Sequence, residues 1–142
     1  MKTIPETKDA PVLRTDFSDQ ERWEAVCRAI REQNEDGFVA YVAFIDDPAF
    51  DGFSKQQVID ALPSSCKHSF IIVVDNISMT DAEHPVLVVN LHEGMGSAYG
   101  DDFRALPSQV QGIENNLSIA NMDFAEFAGA VDASGVFRGF DL

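Results

Sequence analysis

The sequence predicts an α/β fold: a mixed sheet with a parallel βαβαβ core, an added antiparallel hairpin, and two C-terminal helices followed by a short strand. Three patterns carry this expectation. Between Pro11 and Asp75, β-prone apolar runs alternate with helix-patterned segments; after Asn76, two strand-like runs flank a glycine-punctuated loop; and from Ser108 on, apolar residues recur at helical spacing before a last β-prone run. With 142 residues the chain is the size of one domain, able to bury roughly two-thirds of its unfolded surface. Residues 1–10 read as a flexible tail and 11–142 as the single α/β domain.

The first strand lies in "PVLRTDF" at 11–17, where Pro11 is acceptable at a strand start. "SDQE" at 18–21 reads as a capping box, Ser18 taking an orphan amide of the first turn and Glu21 reaching back. The helix it opens runs to about Asn34, burying a face of Trp23, Val26, Cys27 and Ile30. "FVAYVAFI" at 38–45 is a nearly continuous β-prone run, the pattern of a strand covered on both faces. Phe53, Ser54, Gln57 and Val58 combine a capping box with a hydrophobic staple and open a short helix ending near Leu62. "FIIVVD" at 70–75 is the third and most central strand, parallel to the first two through right-handed crossovers.

Beyond Asn76, "TDAE" at 80–83 caps a single helical turn and "PVLVVNL" at 85–91 makes a fourth strand. "HEGMGSAYGDD" is the mobile tip of a hairpin whose second arm is "FRAL" at 103–106. Ser108 and Gln111 form another capping box, with Val110, Ile113 and Leu117 as the apolar stripe and Gly112 a weak point. "ENNLSIANMDFAEFAGAV" at 114–131 reads as two helices with a capped joint: Asn121 in the left-handed conformation, then Asp123 and Glu126 as a capping box stapled by Met122 and Phe127. Asn115 and Asn116 fit no helical role, because a mid-helix asparagine competes for backbone bonds. "DASG" at 132–135 is a turn before the closing strand "VFRGF", expected at a sheet edge.

Net charge is −14, with −5 in residues 1–68 and −9 in residues 69–142, where Arg104 and Arg138 are the only bases. Such a surface repels nucleic-acid phosphates and anionic membranes, so neither is expected as a partner, whereas a basic protein is attracted. The longest apolar runs are far shorter than the roughly 20 residues of a membrane-spanning helix. The start of the chain has no apolar h-region, and a cytoplasmic location is expected. Two cysteines are too few for a disulfide framework, and Cys27 is expected as a buried, reduced thiol.

"PVLRTDFSDQERWEAV", "FIDDPAFDG", "EHPVLVVNL", "ENNLSIANMDFAEFAGAVD" and "GVFRGF" together resemble a family of small acidic single-domain proteins, a domain of unknown function seen mainly in actinobacteria. The resemblance runs from Pro11 to Phe140 and implies a bacterial, stand-alone domain with no catalytic residue. Lys55 to Ser69 and Gly94 to Asp102 depart most from the family pattern and read as variable surface loops.

The chemical candidates are Asp16, Asp46, Asp47 and Asp75, which fall at the ends of the three parallel strands, where open α/β sheets place their ligand sites. Four carboxylates there would suit a hard cation or phosphoryl chemistry, an arrangement similar to the acidic pocket of receiver domains. Those domains add a lysine from a later strand, and no lysine follows Lys67, with Arg104 a poor substitute. Acids at such positions ordinarily start turns and cap helices. Cys66, His68, His84 and His92 are zinc-type ligands without zinc-site spacing, so no metal or other cofactor is expected. "EGMGSAYG" has neither the lysine nor the following helix of a phosphate loop.

Two function classes remain. The first is a non-enzymatic, acidic protein-binding or regulatory module, immunity-like, with Tyr99, Asp101, Asp102 and Phe103 as the surface that meets a basic partner. The second is a metal-dependent or phosphate-handling enzyme using the strand-end aspartates. A homo-oligomer built by pairing of the closing strand with its twin is a third arrangement.

Overall fold

The computed structural model describes residues 2–140. Among them, six strands form one sheet in the order β2-β1-β3-β4-β5-β6. β1 (Ala10–Arg14), β2 (Val42–Ile45) and β3 (Phe70–Val74) are mutually parallel, with β1 between the other two. β4 (Val86–Asn90) runs against both β3 and β5 (Asp102–Ala105), and β6 (Val136–Phe137) pairs parallel to β5 at the far edge. The expected parallel core, hairpin and closing edge strand are therefore present, and five strands out of six point the same way.

Alternation along the central strands sends successive side chains into two cores. Val12, Ile72, Val74, Val88 and Phe103 face helices α1 (Gln20–Arg31), α4 (Val110–Ser118) and α5 (Phe124–Ala128), which contribute Trp23, Val26, Ile30, Ile113, Phe124 and Phe127. Leu13, Ile45, Ile71, Val73 and Val89 face α2 (Lys55–Asp60) through Val58, together with Phe50 and Ile4. Ile4 is 1% exposed, and its amide donates to the Ala61 carbonyl at 2.7 Å. The segment expected as a flexible tail over residues 1–10 is thus docked from Ile4 on, because it supplies an apolar side chain that the α2 face lacks.

Several boundaries differ from expectation for local reasons. Asp19, rather than Ser18, caps α1, accepting the Arg22 amide at 3.1 Å, while the Ser18 amide is taken by Asp16 Oδ1 at 2.8 Å. α1 stops at Arg31, since Asn34 Oδ1 draws the Asp36 and Phe38 amides into a turn. β2 is an outer strand, only half-buried at Val42, Ala43 and Phe44, and the run before it stays outside the strand, with Phe38 60% and Tyr41 67% exposed. A run of apolar residues reports β-propensity, not the presence of a neighbour. The single helical turn near residue 80 is α3 (Asn76–Thr80), capped by Asp75 rather than by Thr80. Pro107 opens a 3-10 turn, Pro107–Gln109, that displaces the Ser108 capping box; Gln111 instead accepts from Asn34 Nδ2 at 3.0 Å. At α2 the expected box is formed, with Gln57 Oε1 accepting the Ser54 amide at 2.9 Å and Ser54 Oγ accepting the Gln57 amide at 3.2 Å.

The α4–α5 joint ends in a Schellman motif. The Asn121 amide donates to the Asn116 carbonyl at 2.9 Å and the Ala120 amide to the Leu117 carbonyl at 3.2 Å. Ala120, not Asn121, holds the left-handed conformation, with φ at 55°. Asn116 gains a role here: its Nδ2 donates to the Gly112 carbonyl at 2.8 Å and its Oδ1 accepts from Asn121 Nδ2 at 2.8 Å. Asn115 is exposed. The Glu126 carboxylate accepts the Asp123 amide at 2.7 Å as α5 begins.

Two substitutions test this architecture by urea unfolding. Ala120→Gly is expected to stabilise by about 1 kcal/mol, because an alanine in the left-handed region carries a steric cost that glycine does not. Ile4→Ala is expected to destabilise by about 3 kcal/mol, whereas an undocked tail would leave stability unchanged.

Candidate functional site

The shared direction of β1, β2 and β3 puts Asp16, Asp46, Asp47 and Asp75 on one rim, but each carboxylate is already engaged. Asp16 Oδ1 accepts the Ser18 amide and Oδ2 accepts Asn76 Nδ2 at 3.0 Å. Asp47 Oδ1 accepts the Ala49 amide at 2.9 Å, capping the turn Pro48–Phe50, and Lys2 pairs with its Oδ2. Asp46 Oδ1 faces Arg14 at 3.1 Å. Asp75 receives both terminal nitrogens of Arg104, at 2.8 and 2.6 Å, and caps α3 through the Ser78 amide at 3.2 Å.

Arg14 organises the rim. Its side chain is 3% exposed, with Nε donating to the Asp16 carbonyl at 2.9 Å and a terminal nitrogen donating to Gln20 Oε1 at 2.8 Å as well as to Asp46. The guanidinium lies 4.1 Å from the ring centre of Phe17 and 5.2 Å from that of Trp23. Among the described residues, no group of three or more His, Cys, Asp or Glu side chains stands where it could hold a metal ion. Nor does any buried side-chain nitrogen or oxygen lack a partner.

The ionisation of the rim follows from these contacts. Burial pushes Asp75 up, but the Arg104 hydrogen bonds, its charge and the Ser78 bonds outweigh burial, leaving the carboxyl below its ordinary value. Asp16 behaves alike: burial raises it, and Ser18, Asn76 and Arg14 bring it down further. The Lys2 hydrogen bond holds half-buried Asp47 low. Burial pushes the Cys27 thiol up to about 11, so this cysteine is an inert core residue.

The hairpin tip, residues 91–101, is cross-braced. Gly94 and Ser97 exchange backbone bonds at 2.9 and 3.1 Å. Buried Asn90 donates from Nδ2 to the carbonyls of His92 and Ala98, at 2.8 and 2.9 Å. Lys55 Nζ bonds the Gly100 carbonyl and the Asp102 carboxylate, at 2.8 and 2.9 Å. The expected partner-facing set is split by strand alternation: Tyr99 is 50% exposed, but Phe103 is 5% exposed, packed 5.0 Å from the ring centre of Phe124. Asp102 is paired with Lys55, and Asp101 Oδ2 accepts the Ala98 amide at 2.8 Å. Met95, which the sequence did not single out, is 70% exposed with φ at 53°, between two glycines that also have positive φ.

Residues 9–140 match the family described as Domain of unknown function (DUF6924). The chain belongs to this family. No curated protein matches it. In this DUF6924 chain, sequence reading missed Arg14, Glu114 and Met95. Glu114 is 5% exposed and accepts the Tyr41 amide at 2.7 Å, tying α4 to the start of β2. A charged residue on a predicted buried stripe, as Glu114 is beside Val110, Ile113 and Leu117, is the signal that could have found it.

Asp75 makes the fold sensitive to acid in a definite direction. Its folded pKa lies below its unfolded value near 3.8, so its contribution is complete above that value and lost as pH falls through the lower folded one. Asp75→Asn is expected to cost about 2–3 kcal/mol in urea unfolding at neutral pH, by stranding the Arg104 charge. Between about pH 4 and pH 2 the variant should lose less stability than the parent chain.

Proposed function

We propose that this protein is a non-enzymatic binding module, regulatory or immunity-like, that docks a basic protein partner through the β4–β5 hairpin tip. Met95 carries the reading. A non-glycine residue in the left-handed region costs roughly 1–2 kcal/mol, and this one returns nothing to the core, being 70% exposed. Strain of this kind is retained where a side chain must be held out for a contact. Bracing of the tip by Asn90, Ser97 and Lys55 lowers the ordering cost of binding. Tyr99 offers a second large contact surface, and Glu93 and Asp101 add negative charge beside it.

The wider charge distribution supports the choice of partner. Lys2, Arg14, Arg22, Lys55, Arg104 and Arg138 are held in ion pairs within the chain, while most of the acids among the described residues are not. The resulting field steers a basic surface towards the protein and fades with salt. A bacterial cytoplasmic setting is assumed in this reading.

Met95→Gly separates the two roles of the residue. It is expected to raise stability by about 1 kcal/mol in urea unfolding, as the strain is released. In affinity capture from native lysate at low salt, the same variant should recover the basic partner at least about tenfold less well than the parent chain. Capture that ignores both salt and this substitution would contradict the proposal.

A further inference from the structure

At the same end of the sheet as the tip, the N-terminal segment and the α2–β3 connection enclose a hollow with the composition of a small-ligand site. Three contacts fasten its two walls: the Ile4 amide to the Ala61 carbonyl at 2.7 Å, the Ser65 hydroxyl to the Glu6 carboxylate, and His68 Nε2 to the Thr7 carbonyl at 2.8 Å. Between them lies a cavity of about 260 Å³ with Ile4, Pro5, Pro11, Leu62 and Pro63 in its lining. Apolar walls with a few polar groups at the mouth are the usual make-up of a small-molecule pocket.

Two of the polar groups here are lysines. Lys8 comes from one wall and Lys67 from the other, with His68 also in the lining. The bond to the Thr7 carbonyl requires a proton on His68 Nε2. Glu6 is the one carboxylate in the lining, and Ser65 occupies it. Ten lysines and arginines serve a chain of net charge −14, and among the described residues Lys8, Arg28, Arg31 and Lys67 form no ion pair. Two of those four bases share this cavity. They also line the adjoining cleft of about 510 Å³, which Asp9 and Glu114 share, Glu114 accepting the Tyr41 amide, and neither lysine is ion-paired there.

We infer that this cavity binds a small organic carboxylate with an apolar body. The carboxylate sits between Lys8 and Lys67, and the body lies against Ile4, Pro11 and Leu62. Charge-assisted hydrogen bonds from two lysines fix the anion, and the apolar walls select for the attached group. The site depends on neither the hairpin tip nor a protein partner.

Titration of the isotope-labelled full chain with benzoate and with hexanoate, followed by amide NMR shifts, tests this. Saturable shifts are expected at Thr7, Lys8, Lys67 and His68, absent with benzamide, which lacks the charge. The double variant K8Q/K67Q should keep the dispersed spectrum of a folded protein and bind about a hundredfold more weakly, the loss of two modest charged hydrogen bonds. The inference is overturned if neither carboxylate gives saturable shifts, if benzamide or the double variant matches the carboxylate result, or if inorganic phosphate binds as well as benzoate.

Discussion

A guanidinium shut away from water must be neutralised and hydrogen-bonded on all sides, and Arg14 imposes that requirement at the end of β1. The answer to it shapes the whole strand-end rim. The Asp16 carbonyl, Gln20 at the start of α1 and Asp46 at the end of β2 all turn towards Arg14, while Phe17 and Trp23 close over its faces. A second cation, Arg104, crosses from β5 to fasten Asp75 at the end of β3. Two arginines thereby link the ends of β1, β2, β3 and β5 through carboxylates and caps, and the crevice that open α/β sheets ordinarily offer to a ligand is filled by the protein's own side chains.

This closure moves the available chemistry away from the rim. What remains open lies elsewhere: a braced hairpin tip that holds Met95 outward, and a hollow at the opposite ends of β1 and β3 where Lys8 and Lys67 meet apolar walls. The tip and one wall of the hollow are connecting segments carried on the sheet. Loops carried on a fixed scaffold are where binding differences accumulate, since they can change without disturbing a core. The scaffold is well suited to carry them, with β3 buried along its whole length between two apolar faces.

Much of the fold was legible in the sequence, because burial leaves periodic traces. The stripe Trp23, Val26, Cys27, Ile30 is buried as its spacing implies, and the continuous run of β3 is covered on both faces. The box at Ser54 and Gln57 was visible because both partners are local. What failed depended on tertiary neighbours. The run at 38–45 carries the composition of a central strand yet ends as an edge, since sheet order is fixed by where crossovers travel and not by propensity. Phe103 reads like a surface anchor beside Asp101 and Asp102, but alternation along β5 turns it inward. The rim aspartates follow the ends of β1, β2 and β3, while Arg14, a lone base after two apolar residues, gave no hint that it would bond Asp16 and Asp46.

The account therefore stands on the rim being a finished structural network instead of an open cation site. Titration of the labelled protein with Mg²⁺ at constant ionic strength, read at the amides of Asp16, Ser18, Asp46, Asp47 and Asp75, addresses that point most directly. The account expects no saturable change at these amides, with any shifts small, linear and confined to exposed acids. Saturable shifts converging on Asp16, Asp46 and Asp75 would contradict it, because they would require those carboxylates to leave their present partners for a metal ion.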